Sequence, residues 1–175
     1  MYSINPFLFL ICSYCFTCKQ YGRGRFGSTW RRRKWVFGML GIKRQRRLPV
    51  LRLVKKRSRR HLLPIIKRHV RPGSSIISDQ WRAYVGALSA AGYNHYSVNH
   101  SRTFVDHESG AHTQNIERAW GVYKGQLWRQ RGNRNVRLLK EHLAFIEWTY
   151  WLGRRHRYGP LGRLMKDIRQ NFKMK

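Results

Sequence analysis

Acidic residues are scarce in this sequence and missing altogether from its first 78 positions. Seven Asp and Glu stand against 37 Lys and Arg in 175 residues, and the seven (Asp79, Asp106, Glu108, Glu117, Glu141, Glu147 and Asp167) begin only at Asp79. A net charge of +30 cannot be neutralised within the chain, so a polyanion partner such as DNA or RNA is the physical expectation, ahead of an anionic membrane surface. Cysteine is also sparse. Cys12, Cys15 and Cys18 have the spacing C-x-x-C-x-x-C, but no fourth Cys exists and no His precedes His61, so a closed four-ligand zinc site cannot be completed locally. Reduced thiols in an intracellular compartment fit this usage. The opening MYSINPFLFLICSYCF is apolar like a signal peptide, yet it lacks a positive start and a small-residue cleavage site. It is also too short and polar for a membrane span, so no membrane partner is expected. Residues 1–18 are therefore read as an atypical leader of unclear origin. Internal repeats and low-complexity linkers are lacking too, which leaves 19–172 as a single domain.

What is present points to a folded domain. Hydrophobic residues make up 42% of the chain and aromatic ones 14%, enough to exclude a disordered basic tail. Between Arg23 and Arg71 lie 19 Lys and Arg and no acid, so the phosphate contacts of a nucleic-acid partner are expected to concentrate there. KWVFGMLGI at 34–42, the turn KRQRR and LPVLRLVKK predict a β-hairpin. From Ser58 the spacing of Leu62, Leu63, Ile65, Ile66 and Val70 predicts a helix ended by Pro72-Gly73, with Pro64 tolerated in its first turn. The run SSIIS predicts a strand leading into Asp79, followed by a helix from Trp81 to Ala91 capped by Gly92. YNHYSVNH reads as a strand and SRTFVDHESGAHT as a long loop. Then come a helix with Thr113 as N-cap, a second over Val136–Trp151, and a short third after Pro160. The order implies a mixed α/β fold in which an antiparallel hairpin leads into parallel pairing.

Two of the rare acids sit where chemistry could be done. Two-metal phosphoryl transfer needs carboxylates that converge from the ends of different elements, with the ions about 3.5–4 Å apart. Asp79 at a strand end and Glu117 near a helix start are suitable donors, and Lys124 shares Glu117's helix face. Each also has an ordinary structural role, Asp79 as a helix cap and Glu117 as a partner of the helix dipole. His100 and His112 flank the loop before Glu117 and are equally well read as contacts to substrate or metal or as loop-ordering residues. Trp128, beside Arg129 and Arg131, is a candidate for stacking on unpaired bases.

The blocks RKWVFGMLG, LLPIIKRHVRPGSSIISDQWRAYVGALSAAGYNHYSVNHS and FVDHESGAHTQNIERAWGVYK resemble the catalytic domain of Merlin-type DNA transposons and their bacterial relatives, the ISXO-like transposases. The resemblance runs from Tyr21 to Ile168. It implies an RNase H-like, integrase-type mixed sheet flanked by helices, and DNA cutting and joining with Mg²⁺ (or Mn²⁺) held by an Asp, Asp, Glu (or Asn) set. On it Asp79 matches the second acid, Glu117 the third, Lys124 the lysine that follows, and Asn115 is the alternative third ligand. The partner it implies is DNA, both transposon ends and target, with a homo-oligomer left open; the compartment would be the nucleus in a eukaryote or the cytoplasm in a bacterium. One departure stands out. The family's first acid belongs on a first strand upstream of WVFG, where this chain reads CFTCKQYGRGRFGSTWRRRKWVFG, without an Asp or Glu. The first strand is thus expected to be missing or replaced by the leader, in a truncated or misassembled copy with impaired catalysis. Two rival readings are a non-catalytic, domesticated DNA-binding protein and a basic RNA-binding structural protein.

Overall fold

A computed structural model describes residues 8–19, 31–43, 46–79, 81–98, 114–129 and 136–172. Five strands form one sheet: β1 Leu8–Lys19, β2 Arg31–Lys43, β3 Arg46–Val54, β4 Ser75–Asp79 and β5 Asn94–Val98, in the order β3-β2-β1-β4-β5. The hairpin expected from the two apolar runs is β2–β3, antiparallel with Met39 opposite Val50. β1 pairs antiparallel with β2 and parallel with β4, where Leu8 to Ile11 align with Ser75 to Ser78, and β4 pairs parallel with β5. Most of the stretch read as a leader is therefore the middle strand, so the first strand is present with leader residues as its sequence. It qualifies for that place because a strand covered on both faces must be apolar in a continuous run, as Leu8-Phe9-Leu10-Ile11 is.

The side chains of β1 divide between two cores. Leu10 joins Val36, Leu40 and Ile77 on the face covered by α2 (Gln114–Arg129) and α3 (Val136–Trp151), whose Ile116, Trp120, Tyr123, Leu139 and Leu143 complete that cluster. Phe9 and Ile11 join Phe37, Met39 and Ile76 on the opposite face, under Leu62 and Ile66 of α1 (Arg59–His69) and Tyr84 and Leu88 of the segment after β4. A last helix, α4 (Gly159–Asn171), follows with Pro160 in its first turn, longer than the short helix expected there. Among the described residues no helix is long and apolar enough to cross a membrane.

Two expectations need correction. No α-helix spans Trp81 to Ala91: the backbone makes successive tight turns, Tyr84 N–H to Trp81 C=O and Ala87 N–H to Tyr84 C=O, and ends in a short 3₁₀ turn at Ser89–Ala91. The cause is Gly86, whose φ of +68° breaks the right-handed run; Gly92 at φ +82° closes the segment as expected. Pro64 is not in a first turn either but is the sixth residue of α1. It removes one backbone bond there, and burial of Leu62 and Ile66 offsets the loss. Thr113 lies outside the described residues.

Edge strand β3 is covered in part by α3. Glu147 accepts the Leu51 N–H and the Arg52 guanidinium at 2.5 Å, and Trp151 Nε1 donates to the Pro49 carbonyl at 2.7 Å. Pro49, with no N–H, is suited to an edge. On β2 Gly38 leaves room for the Trp120 ring of α2, since a Cβ there would lie 2.3 Å from Trp120 Cζ2. Gly38→Ala should therefore destabilise the fold by about 1–3 kcal/mol through overpacking. Gly121→Ala, in α2 with nothing within 4 Å, should instead stabilise by roughly 0.5–1 kcal/mol. Urea denaturation of the two variants checks both signs.

Candidate functional site

Asp79 is the last residue of β4 and follows the Ile11–Ser78 pair, at a level beyond which β1 and β2 run on together as far as Lys19 opposite Arg31. Its Oδ2 is 3.9 Å from Nη2 of Arg57, and both side chains are about three-quarters covered. Arg57 comes from the connection between β3 and α1 and is held on two rings, 4.3 Å from the Trp81 centroid and 4.9 Å from that of Trp35. Trp81 Nε1 donates to the Arg57 carbonyl at 2.9 Å, so backbone and guanidinium are fixed together. Each cation–π contact contributes about 0.5–2 kcal/mol. Sequence reasoning missed Arg57, which sits in the run KKRSRR with no local mark to set it apart from solvated charge; only Trp35 and Trp81, both distant in sequence, give it a role.

Behind Asp79 the strand is anchored by a polar relay. The fully buried Ser78 hydroxyl donates to the Asp79 carbonyl at 2.8 Å, and His95 Nε2 lies 2.9 Å from the same hydroxyl. Because the single Ser78 proton is committed to the carbonyl, Nε2 of His95 carries the hydrogen and donates. Burial pushes the His95 pKa below its usual value. With the folded pKa lowered, the unfolded chain binds the extra proton first as pH falls, so stability is lost from about pH 6.5 downward until the folded ring also protonates. The slope is at most one proton, about 1.4 kcal/mol per pH unit. Melting temperatures between pH 7.5 and 5.5 should fall more steeply for the wild type than for His95→Gln.

Three other acids are occupied structurally. Glu147 caps β3, Glu141 pairs with Arg137 at 3.1 Å, and Asp167 takes Arg163 Nε at 2.8 Å and Trp148 Nε1 at 3.0 Å, bonds that hold its carboxyl below the usual range. Glu117 stands exposed in the first turn of α2. Trp120 points from α2 onto β2, and at 100° per residue Glu117 and Lys124 lie on one flank of that ridge while Asn115, Arg118, Ala119 and Val122 lie on the other. The second flank faces β3, since Asn115 Oδ1 accepts from Arg47 Nη2 at 2.9 Å. The flank of Glu117 and Lys124 is accordingly the one turned away from β3, toward β1. His100 and His112 lie outside the described residues, as does the Trp128 side chain.

The residues expected to hold Mg²⁺ or Mn²⁺ fit such an ion poorly. Asp79 already faces a guanidinium, Asn115 gives its oxygen to Arg47, and β1 brings no carboxylate from Leu8 to Lys19. Among the described residues no three His, Cys, Asp or Glu side chains form a group able to hold a metal. A hard dication needs several oxygen donors with net negative charge, and among the described residues the carboxylate at the end of β4 faces a fixed cation.

On the β3 side of α2 a groove of about 840 Å³ is lined by Arg46, Arg47, Arg118, Arg154 and Arg155 together with Tyr123 and Tyr150. Its residues come from three separate stretches, which is why no run in the sequence announced it.

Residues 17–130 match the family model of the ISXO2-like transposase domain. A transposase-like protein of Haemophilus influenzae, itself uncharacterised, is 30% identical over 93 residues, covering 51% of this chain and 69% of that protein. Among solved structures, the catalytic core domain of BIV integrase superposes with a TM-score of 0.55 at 11% identity, over 94% of this chain and 97% of that one. A chain of the simian T-cell lymphotropic virus intasome, solved with PP2A regulatory subunit B56 gamma, gives 0.56 at 16% identity, over 81% of this chain and 47% of that one. At such identities the likeness is one of fold, and the fold is RNase H-like.

Proposed function

The chain belongs to the ISXO2-like transposase domain family, and from that premise we propose that it is a transposase-derived DNA-binding domain whose ancestral cutting and joining of DNA is impaired. The observation that carries this reading is the end of the sheet at Asp79, where a carboxylate of the expected kind is paired with Arg57 at 3.9 Å and the adjoining strand β1 has no acid. Of the two candidates for its companion we take Glu117 over Asn115, because Asn115 is bonded to Arg47 on the β3 side of α2 and Glu117 lies on the opposite flank. Lys124 shares Glu117's flank and is assigned to a DNA phosphate. Its ancestry we assign to the Merlin-type elements on the sequence blocks quoted above. Binding follows from the charge: a net +30 has to find phosphate, and DNA is the polyanion that transposases handle.

The test joins two assays on the whole chain. Anisotropy with a short duplex at low salt should show binding, and incubation of terminal-repeat DNA with Mg²⁺ or Mn²⁺ should yield no nicking beyond an Asp79→Ala control. Failure to bind removes the proposal, while Asp79-dependent nicking removes its second half and shows that another group completes the site.

A further inference from the structure

Resting on the DNA-binding reading, we infer that the arginine groove between α2, the start of β3 and the end of α3 is a dedicated seat for the sugar–phosphate backbone of duplex DNA. It is separate from the Asp79 end of the sheet. In the order β3-β2-β1-β4-β5 two strands lie between β3, which borders the groove, and β4, which ends in Asp79. The levels differ as well, because Arg47 pairs with Ile42 and Ile42 with Leu8, near the start of β1, while Asp79 follows the Ile11–Ser78 pair.

Among the described residues five guanidinium groups and no acid line the groove. Such a concentration costs energy through mutual repulsion unless an anion relieves it, and phosphodiester oxygens match the planar fork of arginine. Part of the set is held in place before any ligand arrives. Arg47 is tied to Asn115 at 2.9 Å, and Arg154 lies 4.2 Å from the centroid of Tyr150, which in turn packs edge-on against Tyr123 at 5.4 Å. Guanidinium groups fixed in this way lose less entropy on binding than free side chains would. Burial keeps the Tyr123 phenol protonated well above its usual range, so it adds no competing negative charge to the groove wall.

The experiment compares equal losses of charge at two places. Arg118→Ala with Arg154→Ala removes two cations from the groove, and Lys67→Ala with Arg68→Ala removes two from the exposed face of α1. Anisotropy with a labelled duplex across a salt series, with thermal melts to confirm folding, reads each pair. The groove pair should lose about tenfold or more in affinity and flatten the salt slope by roughly two, whereas the α1 pair should lose about threefold or less. Arg118→Lys with Arg154→Lys keeps the charge and the fold, and should fall between the wild type and the alanine pair because lysine lacks the fork. Equal losses from the two alanine pairs would mean that net charge alone governs binding, and would overturn the groove while leaving DNA binding intact. A groove pair that loses affinity for single-stranded RNA but not for duplex would overturn the DNA assignment. A wild-type chain that binds no duplex at low salt would remove the DNA-binding reading and the groove with it.

Discussion

Raising the salt from about 50 to 200 mM should weaken duplex binding by roughly 10³–10⁵-fold, the loss expected when six to ten phosphates are neutralised and their counterions released. The cations are available: 19 Lys and Arg between Arg23 and Arg71, then Arg118, Arg154 and Arg155 from the helical layer. Glu147 engages Arg52 and Asp79 engages Arg57, Glu141 and Asp167 pair within or beside their own helices, and with seven acids in the chain little internal charge competes with DNA for the remaining cations. The slope of log affinity against log salt, measured by anisotropy, gives the number of phosphates contacted. A flat dependence would show that shape or base contacts, not counterion release, hold the DNA.

Placing one carboxylate on β1 should have an effect of comparable size on metal binding. Cys12 follows Ile11, the partner of Ser78, and is therefore the register neighbour of Asp79; across the other edge it pairs with Gly38. Cys12→Asp would bring a second acid beside Asp79. Without metal the variant should be less stable by about 1–3 kcal/mol, the cost of crowding a poorly paired charge into the middle of a sheet. With Mn²⁺ the ion binds the folded form alone and should restore about 2.7 kcal/mol at a hundredfold excess over its dissociation constant. Thermal melts with and without Mn²⁺ read both numbers, and the wild type should show no such rise. If Cys12→Asp melts at the same temperature with and without Mn²⁺, position 12 is not where the missing ligand belongs. A metal-dependent rise in the variant, followed by Asp79-dependent nicking of terminal-repeat DNA, would show that the rest of the domain is sound.

Much of the architecture could be read from residue spacing, and the failures have local causes. The helix over Val136–Trp151 was legible to the residue because its apolar stripe, with Leu139, Leu143 and Ile146 fully covered, has no break in it. The stretch Trp81–Ala91 carries an apolar pattern just as helical, but a pattern of burial does not reveal that Gly86 sits at positive φ. The middle strand was hidden for the opposite reason. Leu8–Ile11 has no alternation, so periodicity could not separate a strand covered on both faces from an apolar leader. In the site, Asp79 at a strand end was visible from sequence, whereas Arg57, Arg47 and the groove were not, since each depends on contacts between residues tens of positions apart.

The place of β1 carries a lesson about what a fold demands and what it ignores. To lie between β2 and β4 a segment must offer apolar side chains to both sides, Leu10 to one core and Phe9 and Ile11 to the other, and four consecutive apolar residues meet that demand. The same composition directs other chains toward export or into lipid, so the two instructions are written in nearly the same letters. An apolar run is therefore enough to fill the middle of this sheet, whatever else its letters resemble. Chemistry at the neighbouring strand end asks for something no hydrophobic run can supply, a single negative charge at a single register position. The demands of architecture and of chemistry on one strand are thus distinct: four apolar residues meet the first, and a carboxylate is a further requirement that they leave open.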